Sequence, residues 1–127
     1  MILEVGKVIY SLLANDEKVT NLVHKKIYPL IADSDTTFPF IIYKRNSISI
    51  LTSKDRLINK EEATIEIAIA SDKYNESVNV ATAVIKALHN KKGDISNINV
   101  KKIELLQADE DYIDDTFIQK LFFKIEI

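Results

Sequence analysis

The chain has 127 residues, 46% of them apolar, and its 17 Lys and Arg stand against 19 Asp and Glu, a formal charge of −2. Length and apolar content predict one packed domain over residues 1–127, and the near-neutral charge argues against a general phosphate-binding surface. Cysteine is absent, which excludes disulfides, thiolate zinc sites and cysteine nucleophiles together. The only two glycines, Gly6 and Gly93, lie too far apart to build a phosphate loop or the nucleophile elbow of a hydrolase. Glu4 and Lys7 interrupt the N-terminal apolar stretch, and no run approaches the roughly 18 uncharged residues that span a bilayer, which predicts a soluble chain with no membrane partner.

Ile2, Val5, Ile9, Leu12 and Leu13 recur at helical spacing and predict an amphipathic helix ending near Ala14. Asn15 and Asp16 stop it and cap a second short helix through Val19, Leu22 and Val23. Ile27–Leu30 contains Pro29, which cannot donate to a ladder, and so reads as a piece at a sheet edge. From Phe38 the pattern has period two, with Phe38, Phe40, Ile42, Ile48 and Ile50 expected on one face and Ile41, Tyr43, Arg45, Ser47 and Ser49 on the other. Residues 51–61 are mostly polar and read as a long hairpin connection. Thr64–Ala70 alternates cleanly as a strand. After the capping types Ser71 and Asp72, the residues Val78, Ala81, Val84, Ile85 and Leu88 step as a helix until Asn90–Gly93. Ile98–Leu106 reads as a further strand. The last strand places Phe117, Leu121, Phe123, Ile125 and Ile127 on one face and Ile118, Lys120, Phe122, Lys124 and Glu126 on the other. The order is therefore helix, edge piece, strand, strand, helix, strand, strand. It predicts an α+β domain with a mostly antiparallel sheet of about four long strands and two main helices on one face.

A sheet covered on one side should be polar on the other, yet Ile41, Tyr43, Ile118 and Phe122 are expected opposite the core residues. Either the first helix crosses to that face or another subunit packs there, with Arg45, Lys120 and Lys124 at its margin.

Residues 109–115 carry five carboxylates, Asp109, Glu110, Asp111, Asp114 and Asp115. Oxygen ligands suit a hard cation, but the glycine and terminal glutamate of a calcium-binding loop are missing, so a charged hairpin tip is the expectation and no metal is assigned. His24 and His89 sit on different elements, and His89, at a helix end, is expected to complement the helix dipole. Lys44, Arg45, Lys54, Arg56 and Lys60 form a basic cluster partly cancelled by Asp55, Glu61 and Glu62, which suits a protein partner better than nucleic acid.

Four segments in order, Ile27-Tyr28-Pro29-Leu30-Ile31-Ala32, Thr37-Phe38-Pro39-Phe40-Ile41-Ile42-Tyr43, Ser71-Asp72-Lys73-Tyr74-Asn75-Glu76-Ser77 and Glu110 through Gln119, resemble the signature of siphophage tail-completion proteins. The chain is similar to the branch found in prophages of gut Bacteroidales. The resemblance implies a virion structural protein, a tail terminator, made in the host cytoplasm and placed in the tail or neck. Its implied partners are copies of itself in a homohexameric ring, the tail-tube protein, a head–tail connector or neck protein, and genomic DNA that passes through the channel without specific binding. It implies no catalytic residues, cofactor or metal. Ring closure needs two complementary patches on each subunit. The candidates for a subunit or tail interface are Ile41, Tyr43, Arg45, Lys54, Arg56, Lys60, Ile118 and Phe122, and Asp109, Glu110, Asp111, Asp114 and Asp115 are the candidates for a channel-facing hairpin. A head-closure protein, or a small cytosolic metal-dependent enzyme or ligand-binding domain, is the alternative. Replacing Lys54, Arg56 and Lys60 by glutamate is expected to weaken assembly without unfolding the subunit.

Overall fold

The computed structural model describes residues 1–52 and 59–127. A 3-10 turn, Ile2–Glu4, leads into helix α1, Val5–Ala14, whose Val5, Val8, Ile9 and Leu13 are fully buried along one stripe. Helix α2, Glu17–Val23, follows at once, because the Asp16 carboxylate accepts the Val19 N–H at 3.0 Å and caps its first turn. Helix α3, Tyr74–Leu88, starts under Ser71, whose hydroxyl accepts the Lys73 N–H at 3.0 Å and donates to the Glu76 carboxylate at 2.7 Å. Its buried stripe is Val80, Ala81, Ala83, Val84, Ala87 and Leu88; Val78, expected there, points outward.

The strands are β1 (Ile27–Pro29), β2 (Phe40–Thr52), β3 (Asn59–Ser71), β4 (Gly93–Ile95), β5 (Ile98–Val100), β6 (Lys102–Ile113) and β7 (Thr116–Glu126). Five of them form one sheet in the order β1-β2-β3-β7-β6, in which β1 alone runs parallel to its neighbour. The connection expected over 51–61 is shorter than its polar composition suggests. Pairing continues to Thr52 opposite Asn59, because alternating polar side chains are compatible with a strand that faces water. The segment Ile98–Leu106 divides into β5, which pairs with β4 in a separate two-stranded sheet, and the start of β6. Ser96 and Asn97 both take positive φ between β4 and β5, and Asp114 and Asp115 do the same between β6 and β7. Two consecutive left-handed residues make the tight two-residue turn that matches strand twist, and Asn and Asp tolerate that conformation best.

All three helices belong to one layer. α1 packs on β1 and β2, α3 packs on β3, β7 and β6, and α2 closes the layer against α1 and α3. The core between helices and sheet is aliphatic, centred on Ile65, Ile67 and Ile69 of β3 and Leu121, Phe123 and Ile125 of β7, all at most 2% exposed. Phe123 is the largest fully buried side chain among the described residues.

The face assignment of β2 needs correction. Ile41 is fully buried and Tyr43 is packed against the core, so both lie under the helices. Added atoms at Gly6 of α1 would stand 3.4 Å from the Tyr43 ring, a close approach that glycine makes easy. Asn46 is an extra residue between Arg45, opposite Ile65, and Ser47, opposite Thr64. This bulge exchanges the faces of everything after it, so Ile48 rejoins the core side from an even position while Phe40 and Ile42 lie on the opposite face.

Alternation on β7 predicts unequal responses at adjacent positions. Phe123→Ala should cost about 3–5 kcal/mol in chemical denaturation, as expected for an emptied aromatic site in a close-packed core. Phe122→Ala, on the opposite face, should cost clearly less.

Candidate interaction surface

Among the described residues no helix covers the second face of the sheet. Cross-strand registers place Phe40, Ala70, Ile118 and Asp111 in one row, Ile42, Ala68, Lys120 and Asp109 in the next, and Lys44, Glu66, Phe122 and Gln107 in the third. Tyr28 extends the second row from β1. Phe40, Ile42, Ile118 and Phe122 are half-buried by their neighbours within the sheet, and Phe40 stacks on Phe38 with ring centroids 5.7 Å apart. Phe40, Ala70, Ile118, Ile42 and Ala68 adjoin one another, while Lys120 stands between Ile118 and Phe122 and Glu66 between Phe122 and Lys44, so this half of the face mixes apolar and charged side chains.

The other half is an ion ladder. Lys60 approaches Glu62 at 2.7 Å and Glu126 at 3.9 Å, while Glu104 is shared by Lys124 at 3.0 Å and Lys102 at 3.2 Å. Hydrogen bonds from these ammonium groups lower the pKa of Glu62 and Glu104, and the same carboxylates raise the pKa of Lys60 and Lys124.

The expected interface residues therefore do not share one face. Ile118 and Phe122 lie on the helix-free face, as does Lys60, which belongs to the ion ladder. Ile41 and Tyr43 are under the helices, and burial raises the Tyr43 pKa. Arg45 donates to the Leu3 carbonyl at 2.9 Å and ties the N-terminal turn to β2. Lys54 and Arg56 lie outside the described residues. Phe40 and Ile42 are the members that sequence reasoning placed in the core. Four apolar residues in succession, Phe40–Tyr43, give no phase from which to choose a face.

The carboxylates of 109–115 are dispersed by the same alternation. Asp109 and Asp111 point with Lys120 and Ile118 to the helix-free face, whereas Glu110 faces α3. There the Tyr74 hydroxyl donates to Glu110 at 2.9 Å and the Gln119 amide donates to it at 3.0 Å and to Ser77 at 3.2 Å. Tyr74 and Tyr112 pack on Phe117 with centroids 5.7 and 4.7 Å apart. Asp114 and Asp115 occupy the turn. Among the described residues no group of three or more His, Asp or Glu converges as a metal site would. His89 ends α3, and its Nδ1 accepts the Leu105 N–H at 3.2 Å, which occupies part of the open edge of β6.

An α+β subunit with one helix-covered and one open sheet face is the class defined by this geometry. The chain matches the family model described as Tail completion protein gp17 over residues 7–127 and belongs to that family. Among solved structures it is similar to a chain of the virion of a native gene transfer agent particle, with 16% identity and a TM-score of 0.77 over 94% of this chain and 90% of that one, a likeness of fold. No curated protein matches it. None of the described helices is long and apolar enough to cross a membrane.

The ion ladder sets a pH dependence. Glu62 and Glu104 bind protons less tightly when folded, so their contribution is present above their ordinary value of 4.5 and is lost as pH falls through the depressed folded values. Lys60 and Lys124 contribute fully below their ordinary value of 10.5, and that contribution fades as pH rises through the raised folded values. Melting temperature should therefore decline between about pH 5 and about pH 3, less steeply in Glu104→Gln than in wild type.

Proposed function

We propose that this protein completes a non-contractile phage tail by assembling into a ring of identical subunits at the head-proximal end of the tail tube, where it also helps join the head. It acts by binding, with no bond-making step. Membership of the tail-completion family supplies the tail as its place of work. The observation in the subunit that carries the reading is the helix-free sheet face on which Phe40, Ile42, Ile118 and Phe122 stand half-buried. A monomer gains nothing by leaving such a set half-exposed, and a mixed apolar and charged surface of this kind is what a protein interface uses. In the assembled tail this face meets another virion chain, for which the tail-tube protein is the proposed partner. Lys44, Lys120 and Glu66, interleaved with these apolar residues, would fix the orientation of that contact.

The channel reading of the acidic hairpin narrows to part of it. Glu110 is engaged with Tyr74 and Gln119, and Asp109, Asp111, Asp114 and Asp115 are available either to a channel wall or to a contact between subunits; the second use is the one argued below.

Native mass measurement over a wide concentration range, followed by negative-stain imaging, tests the ring. A closed assembly with a central opening is expected, and a monomer at every concentration overturns the proposal. Ile118→Thr with Phe122→Thr puts a β-branched strand former at both positions and should leave the circular-dichroism spectrum unchanged. The same pair should reduce co-sedimentation with purified tail tubes at least tenfold; undiminished binding removes this face from the contact.

A further inference from the structure

The β6–β7 hairpin outruns the rest of the sheet. β3 stops pairing with β7 at Ser71 opposite Phe117, whereas β6 continues to Ile113 opposite Thr116 and then turns through Asp114 and Asp115. The end beyond the Ser71–Phe117 pair carries Ile113, which is 47% exposed, with Asp114 and Asp115 at the turn, and Asp111 stands two residues back along β6 opposite Ile118. Neutral donors orient two of these carboxylates: the Tyr112 N–H donates to Asp111 at 2.8 Å and the Tyr112 hydroxyl to Asp115 at 3.2 Å. None of the ion pairs among the described residues involves them. The hairpin end is thus a narrow wedge with an apolar side chain and a preorganised negative charge.

The helix layer holds a complement to it. A groove of about 300 Å³ runs between α2 and α3, floored by Leu22, Thr82 and Ala83 and bordered by Lys18 and Lys86, with no acidic residue in its lining. Among the described residues neither lysine forms an ion pair. Within one subunit the hairpin is held at the N-terminal end of α3 through Tyr74 and Glu110, away from the Asn79–Lys86 stretch that lines the groove.

We infer that the hairpin end of one copy docks in the α2–α3 groove of a second copy, with Ile113 against Leu22 and Ala83 and the carboxylates of Asp111, Asp114 and Asp115 against Lys18 and Lys86. The occupant is a second copy because the two surfaces match in charge and both belong to this chain. Since the patches differ, the contact is head-to-tail, the type from which rings close. The inference rests on the ring proposed above and names the surfaces that build it.

Native mass titration of four surface variants beside wild type, Asp111→Lys alone among them, tests it. Lys18→Glu with Lys86→Glu reverses the groove. Asp114→Asn with Asp115→Asn removes the turn charge while keeping residues that accept positive φ. Asp111→Lys with Lys86→Glu exchanges the charges across the contact. The first two should raise the concentration of half-assembly at least tenfold with unchanged melting curves, and the exchanged chain should assemble better than Asp111→Lys alone. Should a reversed variant melt early, Lys86→Gln replaces it. If wild type forms rings and every variant forms them at the same concentration, this contact is wrong while the ring stands. If wild type never forms a ring, the proposed function itself falls.

Discussion

A sheet has two faces, and among the described residues helices cover one of them. Ile65, Ile67, Ile69, Leu121, Phe123 and Ile125 put a continuous aliphatic surface on one side of β3 and β7, and α1 and α3 cover it completely. That burial is the main favourable term available to a domain of this size, which has neither disulfides nor a large aromatic core. The second face is what remains after the helices have been spent: an apolar half around Ile42, Ala70 and Ile118 and a charged half around Glu104.

The two halves of the open face answer different needs. In the ion ladder three lysines and three glutamates alternate across β3, β7 and β6, which offsets like-charge repulsion and keeps the end of the sheet hydrated. The other half carries a contiguous apolar set, Phe40, Ile42, Ala68, Ala70 and Ile118, with Phe122 beyond Lys120, and so gains from being covered. The contrast lies within one sheet face and separates a surface stable in water from one suited to a partner.

Both outer long strands carry a bulge, at Asn46 in β2 and at Leu106 in β6. Each lies on a strand with a partly open edge, where a bulge adds twist and discourages unplanned pairing. The edges are further blunted by Pro29, by Arg45 reaching the Leu3 carbonyl, and by His89 accepting the Leu105 N–H. Polar contacts also set the hairpin. Glu110 accepts from Tyr74 and Gln119, which fastens β6 and β7 to the start of α3 and directs the acidic turn away from the sheet.

The helices, their order, the α+β class and the burial of β7 were legible in the sequence, because periods of 3.6 and 2 are local properties and Asp16 and the β-branched residues of β3 reinforce them. The family resemblance was legible too, since it rides on segments in order. The sequence alone could not phase β2, where Phe40-Ile41-Ile42-Tyr43 is apolar at every position and Asn46 shows itself as an extra residue only against its partner strand. Nor could it show that β3 and β7 continue the sheet side by side, that alternation separates the five carboxylates of 109–115, or that α2 and α3 leave a groove between two lysines. Those are decided by pairing and packing between residues far apart in the chain, and register and faces exist only once two segments are held against each other.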